Sequence, residues 1–359
     1  MRQPMRPETE DEIAAALRDA TGPLVLRGGG TRALGAASGT VLETGGLSGV
    51  TLYDPGALTL VARAGTRLAE LEALLASEGQ RLAFEVPDLR GVLGRQGDST
   101  LGGVIATNAS GPRRVQAGAA RDFLLGVRFV DGTGRIVKNG GRVMKNVTGY
   151  DLVKLLAGSH GTLGVLTEVS LKVLPAPAAQ ATLVLEGLDD AQAVAAMAQA
   201  LGSPFDVTGA AHWPGRGTFL RVEGLAAQVA YRAGRLQALL GGQIAPDGPW
   251  AEIRDVAPFH DQPGDVWRLS AKPSDAPGLV VRAGAEAVLY DWGGGLVWLR
   301  MAQGTDLRAR LGRFQGHATL VRGTGWPVFH PEPAPVAALT AGLRAQFDPR
   351  GILNHGLMG

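Results

Sequence analysis

RGGGTR at residues 27–32, QGDSTLGGVIATNASGP at 96–112 and GSHGTLGVLTE at 158–168 decide how this chain is read. Each is a glycine-centred turn beside an apolar, strand-like run. Glycine tolerates positive φ and lets main-chain N–H groups approach an anion with no side chain between them. Three such turns favour a cradle for one large phosphate-bearing cofactor. The first also spells Gly28-x-Gly30-x-x-Ala33 after a short strand, with Glu43 closing a later one, which raises the dinucleotide-binding crossover. Spacing argues against it, because only about six residues separate Ala33 from the next strand and a crossover with its helix takes roughly ten to twelve. A strand, tight turn and strand is therefore expected. The amides of Gly28, Gly29, Gly30, Thr31 and Arg32 would face a pyrophosphate, with the Arg32 charge at hand. In the second segment Ser99 and Thr100 offer hydroxyl and amide donors, Gly102 and Gly103 let the chain press on a ligand, and Thr107 and Asn108 add polar groups. In the third, Val165 can present main-chain N–H and C=O to a purine edge.

Composition narrows the function class. The 359 residues hold Lys+Arg 35 against Asp+Glu 33, a net charge of +2, with no run of basic residues. No nucleic-acid partner is expected from that balance. Cysteine is absent, which removes disulfides, thiolate nucleophiles and thiolate-held iron–sulfur clusters from this chain. No histidine spacing such as HxH or HExxH marks a metal site. The sequence has no run of about 18 apolar residues that a membrane span needs and no signal-peptide h-region at its start. A cytoplasmic protein is expected, peripheral at the inner face of a membrane at most.

Periodicity supplies the coarse architecture. PETEDEIAAALRDA reads as a first helix with Ile13, Ala16 and Leu17 on one face, and TRLAELEALLASEG as a second with Leu68, Leu71, Leu74 and Leu75 inward and Gly79 ending it. FLLGVRFVDGTGRIVK reads as a hairpin around residues 131–134. Pro175 and Pro177 bracket a stiff joint, placed as a domain boundary with few contacts across it. Beyond it the order strand, helix, strand, strand, helix, strand resembles a βαββαβ split unit, whose sheet AVLYDWGGGLVWLRM and GHATLVRG would extend. No internal repeat is evident. The chain closes with a helix in PAPVAALTAGLRAQF and a proline-glycine tail.

RGGGTR, STLGGVIATNASG, KNVTGYDLVKLLAGSHGTLGVLTE and DPRGILNHG, in that order, resemble the FAD-linked oxidases of the vanillyl-alcohol-oxidase and D-lactate dehydrogenase type. WRLSAKPSDAP, YDWGGGLVWL and GHATLVRG extend the resemblance over nearly the whole chain, and within the family it is greatest to the E subunits of bacterial glycolate oxidases. The resemblance implies an α+β fold: a two-subdomain PCMH-type FAD-binding domain over residues 1–177, a ferredoxin-like α+β cap or substrate domain over 178–333, and a C-terminal helix and tail, 334–359, that returns Asn354 to the flavin domain. It implies FAD with the first glycine loop on the pyrophosphate, Ser99, Thr100 and Gly103 along the cofactor and Val165 near its adenine part. The FAD is expected to be non-covalent, since no histidine follows RGGG and no cysteine exists. Such tails often read Asn-Pro-Gly, whereas His355 follows Asn354 here. The resemblance further implies a glycolate oxidase complex that takes a small 2-hydroxy acid, glycolate, to glyoxylate, with a second flavoprotein subunit and an iron–sulfur subunit as partners. A self-sufficient dehydrogenase of another hydroxy acid or alcohol and a non-catalytic assembly subunit are the alternatives.

Oxidising a 2-hydroxy acid needs a base for the hydroxyl proton and cations for the carboxylate. His160, His317, His330 and His355 are base candidates by chemistry alone. Arg268 and Arg300 alternate with tryptophans in strand-like runs, so a strand can turn either guanidinium toward a substrate carboxylate, although a solvated or salt-bridged arginine is the commoner outcome. Lys145 and Tyr150 in MKNVTGYD are candidates for the flavin edge, and Tyr150 reads equally well as a packed aromatic.

Overall fold

The computed structural model describes residues 3–142 and 149–358. Its first layer is small. Strands β1 (Leu24–Arg27) and β2 (Thr40–Glu43) pair in parallel, with Leu24 opposite Thr40. Met5 bridges to Leu42 on one side and Leu353 bridges to Leu24 on the other, so both ends of the chain add to this layer. The parallel pairing corrects the expected tight turn: a crossover is present, and residues 28–39 make it without a helix. Glycine, alanine and serine fill most of that connection, and Gly39 at φ +149° lies where a Cβ would stand 2.2 Å from the Pro23 carbonyl. The helix Glu10–Asp19 covers the layer with Ile13 and Leu17, which join Leu24, Leu42 and Leu353 in one apolar cluster. Thr9 caps that helix by accepting from the Glu12 amide.

The second layer is a six-stranded antiparallel sheet of β3 (Val50–Asp54), β4 (Thr59–Arg63), β5 (Gln80–Leu82), β6 (Leu124–Val130), β7 (Ile136–Gly140) and β8 (Val165–Pro175). Its path runs β3-β4-β8-β6-β7, with β5 also on β8. The helices Leu68–Ser77 and Leu101–Ala106 pack on it through Leu71, Leu75, Leu101 and Val104. Leu74, expected inward, is only half-buried, while Gly79 ends its helix region at φ +62°.

The remaining strands form one eight-stranded antiparallel sheet: β9 (Ala179–Leu185), β10 (Val207–Trp213), β11 (Gly217–Gly224), β12 (Gln243–Ala245), β13 (Asp265–Ala271), β14 (Ala287–Asp291), β15 (Leu296–Met301) and β16 (Gly316–Arg322). The order is β12-β9-β11-β10-β14-β15-β13-β16. In the first half, strands four, one, three and two of a βαββαβ unit lie side by side, with helices Asp190–Leu201 and Ala226–Leu240 as crossovers. The second half repeats that order in mirror sequence along the sheet, with the shorter helices Ala276–Ala283 and Leu307–Leu311. The second strand of each unit meets the other where His212 opposes Tyr290. No repeat is evident in the residue pattern, yet the structure contains a duplicated unit whose copies keep topology but not helix length or loop length.

A buried charge cluster ties the second layer to the eight-stranded sheet. Arg113 donates twice to Glu223 at 2.9 Å, Arg221 donates twice to Glu85 at 2.9 and 3.0 Å, and Arg81 reaches Glu223 at 2.8 Å. The proline joint at 175–177 is therefore bridged by many charge-assisted bonds close by. Burial by itself would raise the Glu223 carboxyl, but the hydrogen bonds from Arg113 and the charges of Arg221, Arg113 and Arg81 outweigh it and hold the group down at about 2.

Glu223→Ala would leave three arginines facing one glutamate in a buried setting, so a loss of about 3–5 kcal/mol in urea unfolding is expected. The sign with pH follows from the depressed value. The Glu223 contribution is complete above the usual glutamate pKa of about 4.5 and fades as pH falls towards about 2. Wild type should lose more stability between pH 5 and 2, on the order of those two pKa values, than Glu223→Ala does; parallel pH curves for the two proteins would refute the assignment.

Candidate functional site

The loop after β1 is shaped by what its glycines must avoid. A Cβ on Gly29 would stand 1.5 Å from the Asp98 carbonyl oxygen, and one on Gly28 would stand 2.3 Å from the Thr100 hydroxyl. These two segments, 27–32 and 98–100, therefore touch backbone to backbone. Gly30 differs: it sits at φ +72° with no protein atom within 4 Å of where its Cβ would be. The amides of Gly29, Gly30, Thr31 and Arg32 donate to no described residue. Consecutive unpaired amides with a left-handed residue among them form a concavity for an anion.

That loop lines a cavity of about 540 Å³, whose other walls include Gln96, Thr100, Gly103, Thr107, His160 and Asn354. A volume of this size is typical of ligand pockets. Gly103 and Asn354 also line a narrow arm of about 90 Å³ that runs to Gly102 and Val165. At the other end Gly35, Ala36 and Leu357 are shared with an outer chamber of about 850 Å³ under the helix Ala334–Phe347, walled by His317, Thr319, Phe329 and His330. The three spaces form one elongated cleft.

The structure brings most of the expected residues to this cleft. Gly28 to Arg32, Thr100, Gly103, Thr107 and Asn354 line the main cavity, and Gly102 and Val165 line the arm. Thr100 caps the helix that begins at Leu101, and the Thr107 hydroxyl donates to the Gly103 carbonyl at 2.8 Å. Asn354, at φ +44°, accepts from the Leu26 amide at 2.8 Å and donates to the His160 carbonyl at 2.7 Å. His355 lies exposed beside it, with its Nδ1 3.1 Å from the Gly351 carbonyl, and the local turn closes through Leu357 N–H to the Asn354 carbonyl. Two residues lie elsewhere. Ser99 accepts from the Arg32 guanidinium at 3.1 and 3.2 Å, and Asn108 accepts from the Arg121 amide at 3.0 Å.

Among the base and carboxylate candidates the outcomes diverge. His160 is half-buried between the main cavity and the arm, edge-on to Phe329 at 4.9 Å, and desolvation pushes its pKa down to about 4. It is a neutral wall of the cleft. Arg300 is taken by Glu286 at 2.7 Å and by the Pro263 carbonyl, which removes it from the carboxylate candidates. Tyr150 is 87% exposed, and Lys145 lies outside the described residues. His330 accepts from the Ala318 amide at 3.4 Å.

Arg268 is the exception among these candidates. Its guanidinium stands 5.1 Å from the Trp292 ring centre, and Arg114 stands 4.8 Å from the same ring. Neither arginine has an ion pair with a described residue; Arg114 donates to the Ser110 hydroxyl at 2.7 Å. Desolvation pushes Arg268 down to about 10, with Arg114 adding repulsion. The nearby Asp291 is itself raised to about 7 by burial and accepts from the Trp292 amide, so it is a poor counter-charge. His317, a wall of the outer chamber, is lowered by desolvation and then by Arg268, His330 and Arg114. Arg114 was missed in the sequence, where it is one more arginine after NASGP; only its position over Trp292, itself bonded to the Gly111 carbonyl at 3.0 Å, distinguishes it.

Among the described residues no cluster of three metal-ligating side chains occurs, and no helix is long and apolar enough to cross a membrane.

A family model described as an FAD binding domain matches residues 3–140. The chain is 38% identical over 352 residues to glycolate oxidase subunit GlcE of Escherichia coli (strain K12), covering 97% of this chain and 95% of that one. It is 34% identical over 178 residues to the D-lactate dehydrogenase of Archaeoglobus fulgidus, covering 48% and 38% of the two chains. A solved structure of alkyldihydroxyacetonephosphate synthase has the same fold over 98% of this chain and 76% of its own, with TM-score 0.73 at 18% identity.

Asn354→Ala would leave the half-buried Leu26 amide and His160 carbonyl without their partner. The expected cost is about 1–3 kcal/mol, read as a lower urea midpoint together with faster proteolytic trimming of the C-terminal tail. Unchanged trimming would show that the tail is held by other contacts.

Proposed function

This chain belongs to the family of FAD-binding oxidoreductases that includes glycolate oxidase subunit GlcE, and on that premise we propose that it is the FAD-binding subunit of a complex oxidising glycolate or a similar 2-hydroxy acid. Its enzyme class is an FAD-dependent oxidoreductase acting on a CH–OH group. FAD, when bound, supplies the two-electron acceptor for the substrate carbinol. The unpaired amides of Gly29 to Arg32 are the donors suited to its diphosphate, and the arm ending at Val165 suits its adenine end. Gly30 and Gly103 leave room for close approach, since a Cβ on Gly103 would meet only the Thr100 hydroxyl at 3.4 Å.

The observation that carries the substrate class is the Arg268–Arg114 pair, two half-buried cations that share the Trp292 ring and make no ion pair with a described acid. A carboxylate that reaches the pair would gain charge-assisted hydrogen bonds from it. His317, held below its ordinary value by desolvation and by the charges of Arg268 and Arg114, is the candidate to accept the hydroxyl proton. Electrons then have to leave the chain. With no cysteine to hold a cluster, onward one-electron transfer calls for a second flavoprotein subunit and an iron–sulfur subunit. A second reading, a self-sufficient dehydrogenase, is favoured by the presence of both the cleft and the arginine pair within this one chain. Turnover of glycolate and D-lactate with an artificial dye by the purified chain separates the two: full-rate turnover alone excludes the obligate-subunit reading.

Gly30→Val places a branched side chain in open cleft space and strains a left-handed residue. The purified variant should carry well under one FAD per chain after reconstitution; a full flavin spectrum would move the diphosphate elsewhere. Arg268→Met should reduce kcat/KM for the hydroxy acid about 10- to 100-fold, the equivalent of losing a charged hydrogen bond of 1.5–3 kcal/mol, with the FAD content unchanged. A normal kcat/KM in whatever assembly is active would free Arg268 from that role.

A further inference from the structure

Trp292, at the end of β14, sits at φ +55°, a backbone region disfavoured for a bulky side chain, and Gly293 and Gly294 follow it at +65° and +99°. The turn is held from several sides. The Asp291 side chain accepts from the Trp292 amide at 2.7 Å, the indole N–H donates to the Gly111 carbonyl at 3.0 Å, and a Cβ on Gly293 would stand 2.5 Å from the Leu201 side chain. A strained residue persists only where its surroundings over-determine it, and such residues gather at binding and catalytic sites. Here the turn carries a ring only 9% exposed out of the eight-stranded sheet and against the segment that holds Gly111.

Two guanidiniums lie over that ring, Arg114 at 4.8 Å and Arg268 at 5.1 Å from its centre. They come from different parts of the fold. Arg114 opens the short helix Arg114–Ala117, between the helix Leu101–Ala106 and β6, whereas Arg268 belongs to β13. Strand register fixes the direction of Arg268. Arg268 is opposite Thr319 and Ser270 is opposite His317, and directly opposed residues of antiparallel strands share a face of the sheet. Thr319 and His317 wall the outer chamber, so Arg268 is on the chamber face. Two like charges repel, and Arg114 has other places to go, since Asp122 attracts it and the Ser110 hydroxyl accepts from it. The negative face of an indole attracts each cation. A ring common to both offsets their repulsion.

We propose that Trp292 is the positioning residue of the arginine pair: its ring keeps Arg114 and Arg268 together so that a single substrate carboxylate meets both. This rests on the reading of that pair as the carboxylate site. Trp292 acts through the arginines, so its removal lets the guanidiniums part without deleting either charge.

The test is steady-state kinetics with glycolate in the active assembly, with FAD content measured for each variant. Trp292→Leu should raise KM about tenfold, equivalent to about 1.4 kcal/mol, with kcat within about threefold of wild type and FAD unchanged. Trp292→Phe keeps an aromatic face and loses only the bond to Gly111, so it should recover most of the affinity. Adding Trp292→Leu to Arg268→Met should weaken glycolate little further, because the pair is already broken. A fluorinated tryptophan placed at position 292 keeps the shape of the ring while drawing charge from its face; KM should rise with the number of fluorines, which decides the matter if Trp292→Leu folds poorly. An unchanged KM in Trp292→Leu or in the fluorinated series, beside an impaired Arg268→Met, would overturn the positioning role and leave the carboxylate site standing. Equal losses in Trp292→Phe and Trp292→Leu, or full additivity with Arg268→Met, would overturn it too, by showing that Trp292 only packs. A normal kcat/KM in Arg268→Met would instead remove the carboxylate reading, and this inference with it.

Discussion

Gly29 and Asp98 approach so closely that only a residue without a Cβ can stand at position 29, and the cleft exists because of that approach. It brings the loop after β1 against the segment that leads into the helix Leu101–Ala106, although some 70 residues separate them in sequence. With the two backbones in contact, the amides of Gly29 to Arg32 donate to no described residue and line the open cavity. An unpaired amide is costly in a folded protein unless water or a ligand takes it. The arrangement is therefore best understood as one completed by an anion.

The outer half of the cleft depends on a different constraint. Its walls come from the eight-stranded sheet and the C-terminal segment, and its position relative to the glycine loop is held by the Arg81, Arg113, Arg221, Glu85 and Glu223 cluster. Such a cluster adds little net stability compared with apolar packing, but it tolerates only one mutual placement of its partners. Stacking of Arg221 on Trp250 at 4.6 Å adds to that restriction. Specificity of placement is what a site shared between two layers requires.

Local pattern was a good guide wherever one element decides its own form. The helix Leu68–Ser77 and the β6–β7 hairpin follow from period and turn residues. The reading failed where long-range pairing decides. The parallel β1–β2 pair needs no helix because glycine and alanine let residues 28–39 double back, which a crossover-length rule does not foresee. The duplicated unit in the second half was invisible because its copies share strand order and not residue pattern. The helix Ala334–Phe347 reads as apolar, yet none of its side chains is buried within this chain.

The same division runs through the candidate site. Residue identity by itself determined the glycine positions, the lack of any thiolate chemistry and the near-balance of charge, because these depend on no neighbour. Which cations are free was decided only by tertiary structure. Arg268, Arg300, Arg114 and Arg113 look alike as letters, but Arg300 meets Glu286 and Arg113 meets Glu223, while Arg268 and Arg114 meet Trp292 and no acid. The fate of a charge depends on partners brought from distant parts of the chain and on how much water they displace, and neither is written in the residues beside it.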